Sequence, residues 1–137
     1  MMTNFAAGGS LWNVLSKQSG NRFSEKEILF YACEIICALE HLHLFGILYR
    51  DLKPENILVY YDGHIKLADF GFCKKKELAK PGSTPYRTFS IRGTAQYIAP
   101  EIYDSKGHQE MADWWALGIT LYELATGQPP FELGHGE

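Results

Sequence analysis

Residues 111–126, "MADWWALGITLYELAT", restrict this chain more than any other stretch. Of these 16 residues, 11 are apolar, and they fall on every side of a helix rather than along one stripe. A helix that is apolar all round belongs inside a structure. Gly127 supplies its end, and Pro129-Pro130 prevent continuation. The rest of the chain must therefore wrap this helix. Only ten residues follow Gly127, so the sequence predicts that part of the helix lacks a cover.

The wrapping elements carry their own signals. "FSEKEILFYACEIICALEHLHLFG" reads as a long helix: Ser24 and Glu27 form a capping box, positions 28, 31, 32, 35, 39 and 42 keep helical spacing, and Gly46 closes it. Ser10 offers a cap for a shorter helix through Leu11, Trp12, Val14 and Leu15. "NILVYYDGHIKLADFG" predicts a hairpin with its turn at Asp62-Gly63. From Cys73 to Gly93 the polar run with Pro81, Gly82 and Pro85 predicts a long surface loop. Lys74, Lys75 and Lys76 read as a solvated run. Cys33, Cys37 and His41 recur at metal-ligand spacing on one helical face. Three ligands without a fourth, on a core-facing helix, predict packing instead.

Composition excludes some functions. A chain of 137 residues is one domain's worth, and a formal charge of −3 argues against nucleic acid as the main partner. No segment is long enough for a membrane span. Three cysteines, an odd number without a secretory leader, predict a reducing, intracellular and specifically cytoplasmic setting.

The chemistry concentrates in "YRDLKPENILV", residues 49–59. Phosphoryl transfer to a hydroxyl needs hard oxygen ligands for Mg²⁺, a group to orient the acceptor and take its proton, and a cation near the transferring phosphate. Asp51, Lys53, Asn56 and Asp69 can supply these roles. Asn56 enters the first strand of the hairpin and Asp69 leaves the second, so both belong at the same open end.

These motifs resemble the eukaryotic protein kinase domain. "YRDLKPEN" is similar to its catalytic loop, with Tyr49 where most members have His; "DFG" at 69–71, "APE" at 99–101 and "DWWALG" at 113–118 follow in family order. The resemblance implies ATP and Mg²⁺ as cofactors, Asp51 as catalytic base, Lys53 at the γ-phosphate, and Asn56 and Asp69 on the metal. It also implies that Asp113 ties down the catalytic-loop backbone. Tyr49, "DFGFCK" and "GTAQYIAPE" resemble the AGC group of serine/threonine kinases, which implies protein substrates with Ser/Thr acceptors. Lys53 with Thr94 is the serine/threonine pattern, and Phe72 resembles kinases that favour serine.

By the same resemblance, Thr3 falls at the gatekeeper, Asn4 and Ala6 at the hinge that binds adenine, and Leu58 at the pocket floor, with Glu55 beside the nucleotide and substrate. Glu55 and Glu123 would read a basic substrate residue. Ser90, with Thr88 as competitor, would take an activating phosphate from an upstream kinase, paired by Arg50 with help from Lys74. Two positions depart from the group: Ser10 and Gln96 stand where acidic residues are usual. The sequence contains no G-x-G-x-x-G, and no V-A-I-K lysine precedes the hinge. The implied fold is α+β: the mainly helical large (C-terminal) lobe, its catalytic site on a short β-hairpin. Residues 1–137 would then be a partial kinase domain running from the hinge through the helix after the activation segment, without the small lobe or the last helices. The alternative is a non-catalytic large lobe acting as a docking or regulatory module.

Overall fold

Local capping decides where the helices begin. A computed structural model describes residues 6–76, 93–103 and 110–131. Strand β1 (Gly9–Ser10) leads into helix α1 (Leu11–Leu15), where Ser10 Oγ accepts from the Asn13 amide and the Asn13 side chain accepts from the Ser10 amide. Helix α2 (Glu25–Leu44) has the predicted box: Ser24 Oγ accepts from the Glu27 amide at 3.4 Å, and Glu27 accepts from the Ser24 amide at 2.8 Å. Its inner stripe buries Ala32, Ile35 and Leu39. Cys33, Cys37 and His41 are exposed, so the expectation that they pack inside fails. Each follows or precedes a core position by one or two residues, and at about 100° per residue that turns it toward solvent.

Strands β2 (Ile47–Leu48), β3 (Ile57–Val59), β4 (Ile65–Leu67) and β5 (Lys74–Lys75) complete two small antiparallel sheets, ordered β1-β3-β4 and β2-β5. The hairpin β3-β4 sets Ile57 opposite Leu67 and Val59 opposite Ile65. Its turn is one residue longer than the predicted pair: the Gly63 amide donates to the Tyr60 carbonyl at 3.0 Å, and Gly63 has φ of 85°. Among the turn residues only Gly63 enters the left-handed region, which is the three-residue pattern with glycine last. The predicted loop after Cys73 also begins differently. Lys74-Lys75 pair with β2, and Lys76 forms an ion pair with Glu110, so this lysine run is not wholly solvated.

Helix α3 (Pro100–Tyr103) is followed by α4 (Met111–Thr126), the apolar helix of the sequence. Leu117, Ile119 and Leu124 of α4 join Ile35 and Leu39 of α2 and Ile57 of β3 in one core. Yet α4 is one-sided rather than buried all round. Asp113, Thr120 and Glu123 face inward, while Met111, Trp115 and Tyr122 are 67%, 36% and 48% exposed. Donors waiting inside for the two carboxylates turn the helix this way. Trp115 is stacked on Phe131, ring centres 6.1 Å apart.

Candidate active site

A buried carboxylate organises the loop around residues 49–51. Asp113 of α4, 1% exposed, accepts from the Tyr49 amide at 2.9 Å through Oδ2 and from the Arg50 amide at 2.7 Å through Oδ1. His43 Nε2 of α2 lies 2.7 Å from Oδ2. This anchoring holds Arg50 at φ 69°, a left-handed conformation that a non-glycine residue keeps only when its surroundings impose it. The Tyr49 side chain points across to the hairpin, its hydroxyl donating to the Ala68 carbonyl. Burial, with added repulsion from Cys73 and Asp51, holds that phenol far above its ordinary range, so it remains a donor. Burial likewise pushes the Cys73 thiol up to about 11, and its Sγ donates to the Tyr49 carbonyl at 3.6 Å.

Asp51 follows, 3% exposed, with both oxygens engaged. Oδ1 accepts from the Thr94 amide and the Thr94 hydroxyl, each at 3.2 Å. Oδ2 accepts from Asn56 Nδ2 at 2.8 Å and lies 3.3 Å from Lys53 Nζ. Lys53 Nζ also donates to Thr94 Oγ1 at 2.6 Å, and Asn56 Nδ2 to the Asp51 carbonyl at 2.8 Å. Asp51, Lys53, Asn56 and Thr94 are thus one web, built from a loop and a segment about 40 positions later.

The hairpin brings in the remaining groups. The Ala68 amide donates to the Asn56 carbonyl at 2.8 Å, which puts Asp69 at the end where Asn56 enters. Asp69 is exposed, has φ of 53°, and accepts from the Gly71 amide at 3.2 Å. On the other side of β3, the Gly8 amide donates to the Val59 carbonyl at 3.0 Å and Ser10 pairs with Leu58. Ala6 and Leu58, both half-buried, are therefore on neighbouring backbone segments.

The sequence profile of the protein kinase domain matches residues 1–137. The chain belongs to the protein kinase family. It is 50% identical over 131 residues, 96% of its length, to the human cAMP-dependent protein kinase catalytic subunit PRKX, and 47% identical over the same span to the Drosophila melanogaster cAMP-dependent protein kinase catalytic subunit 3. The human putative serine/threonine-protein kinase PRKY is also 50% identical over 131 residues. The chain covers 34% of the PRKX length and 21% of the fly protein, so it spans only a part of these two relatives.

In this kinase chain the residues predicted for the metal have suitable chemistry. Asn56 spends its Nδ2 on Asp51, which leaves its amide oxygen, and the Asp69 carboxylate is exposed. Two hard oxygen donors fit Mg²⁺, which completes its shell with waters and phosphate oxygens. The predicted substrate pair is divided. Glu55 is exposed, whereas Glu123 is 6% exposed and accepts from the Tyr97 hydroxyl. Burial raises the Glu123 carboxyl above its ordinary range, although the Tyr97 bond works against it. Arg50 Nε donates to the Phe72 carbonyl at 2.6 Å, and Lys74 is exposed on β5. Thr3, Asn4, Thr88 and Ser90 lie outside the described residues.

Sequence reasoning missed three contributors to this kinase site. Gly93 has φ of 112°, and a Cβ there would sit 2.6 Å from the Arg50 carbonyl oxygen, so its backbone is pressed against the catalytic loop. Glycine before Thr94 was the available signal. Tyr97 and His43 left no local trace, because their partners are 26 and 70 positions away.

Proposed function

We propose that this chain carries the phosphotransfer machinery of a serine/threonine protein kinase: ATP-dependent phosphorylation of Ser/Thr hydroxyls on protein substrates. The observation that carries the reading is the Asp51 web with Lys53, Asn56 and Thr94. Bound Mg²⁺-ATP supplies the phosphoryl group and the metal that neutralises its charge. Asp51, held by four donors, orients the acceptor hydroxyl and takes its proton. Lys53, 3.3 Å from Asp51, offers a positive charge to the transferring phosphate. Asn56, just before β3, and Asp69, just after β4, would hold the metal. Leu58 would form the floor beneath adenine, with Ala6 on the neighbouring backbone segment, and Thr3 and Asn4 keep the gatekeeper and hinge roles that the family resemblance implies. Glu55 reads a basic residue near the acceptor, backed from inside by Glu123, and Thr94 stands between base and substrate. The names of the relatives, cAMP-dependent and serine/threonine kinases, support the acceptor class.

Activation follows from charge. A phosphate on Ser90 or Thr88 adds about 1.5–2 negative charges, which Arg50 and Lys74 can pair. The central test replaces the matching segment of human PRKX with residues 1–137 and measures phosphorylation of serine and tyrosine peptides. Serine-directed turnover that falls at least about 10²-fold with Asp51→Asn is the expected result. A chimera that folds yet transfers no phosphate, or prefers tyrosine, contradicts the reading.

A further inference from the structure

We propose that Cys33 and Cys37 form a two-thiolate site on the outer face of α2 for a soft, low-coordinate cation of the Cu⁺ type. Both thiols are exposed, and they lie one helical turn apart on a helix whose opposite stripe, Ala32, Ile35 and Leu39, is buried. Residues four apart on a helix have Cβ atoms about 5–6 Å from each other, and each Sγ extends one bond further, so rotamers can converge on a shared ion. A disulfide needs Cβ atoms about 3.5–4.5 Å apart, which this spacing does not provide. The buried stripe keeps the helix wound, so this spacing disfavours a disulfide between the two thiols.

The surroundings set the coordination number. Glu34, between the two cysteines in sequence, is turned to the hairpin: it accepts from the Ile65 amide at 2.8 Å and bonds the His64 ring. The His41 ring rests 4.9 Å from that of Phe45. Cys73 is half-buried against the Tyr49 carbonyl. Among the described residues no three His, Cys, Asp or Glu side chains are grouped to hold a metal. Zn²⁺, which wants four ligands, is therefore poorly served, whereas soft thiolates favour Cu⁺, which is content with two. Binding is a ligand exchange without redox change: two thiols release two protons, and the pair of thiolates on Cu⁺ carries a net single negative charge.

The test titrates the reduced 137-residue chain with Cu⁺ under anaerobic conditions, in competition with the chromophoric chelator bicinchoninate. One Cu⁺ is withheld per chain, and Cys33→Ser and Cys37→Ser each weaken that retention by at least about tenfold. Cys73→Ser and His41→Gln leave it unchanged. Both Cys→Ser changes are at exposed positions, and far-UV circular dichroism checks that α2 persists in each. Retention that survives Cys33→Ser but is lost with His41→Gln would put the ion on Cys37 and His41 and overturn the proposal. Loss with Cys73→Ser, or unchanged retention in both Cys33→Ser and Cys37→Ser, overturns it as well.

Discussion

Two residues in left-handed backbone, Arg50 at φ 69° and Asp69 at φ 53°, flank the proposed chemistry. Each is held there by named bonds: Arg50 by Asp113 and by the Phe72 carbonyl, Asp69 by the Gly71 amide. Strain of this kind is kept where the geometry it fixes is used. Gly93 belongs to the same arrangement. Gly93→Ala would drive a methyl into the Arg50 carbonyl and demand φ of 112° from a residue with a Cβ. We expect destabilisation of about 1–3 kcal/mol, read as a lower urea midpoint. A variant with an unchanged midpoint would mean that residues 93–94 can move away from the loop without loss.

Among the elements, the hairpin β3-β4 depends on a clasp from α2. Glu34 takes the Ile65 amide with one oxygen and the His64 ring with the other. The Glu34 hydrogen bond, then its charge, raise the His64 pKa, with a smaller push from Asp62. A histidine raised on folding contributes stability that is fully present below its unfolded pKa, about 6.5, and is lost as pH rises through the folded value. Protection of the Ile65 amide from hydrogen exchange, corrected for the intrinsic rate, should therefore weaken as pH rises above about 6.5, and Glu34→Gln should flatten the dependence. A pH-independent protection in the parent chain would show that the ring contributes nothing. The pair is exposed, so a modest effect is expected.

For the whole molecule, the decisive fact is the orientation of α4. Its exposed side carries Met111, Trp115 and Tyr122, with Phe131 stacked on Trp115. Among the described residues no helix is long and apolar enough to cross a membrane. We expect the 137-residue chain alone to bind a hydrophobic fluorescent dye and to associate as its concentration rises. We also expect it to hold ATP weakly by calorimetry, because Asp69 is exposed to water, where charge interactions are damped. Micromolar ATP affinity in a monomeric, dye-negative chain would contradict both. Local chemistry made much of this molecule legible beforehand. The Ser24 capping box, the hairpin ending in Gly63 and the Asp51-Lys53-Asn56 cluster are encoded within a few residues, so sequence suffices for them. Periodicity was less reliable. Eleven apolar residues in α4 implied an interior helix with part of it uncovered, but which side is covered is set by what other elements offer: Tyr97 takes Glu123, and the loop amides with His43 take Asp113. The same rotation exposes Trp115. These partners lie from 26 to 70 positions away along the chain. The sequence by itself determined the two long helices, the hairpin and the family. Only the tertiary structure decided that Glu123 is drawn inside as well, because a buried carboxyl goes where a distant donor, here the Tyr97 hydroxyl, can satisfy it.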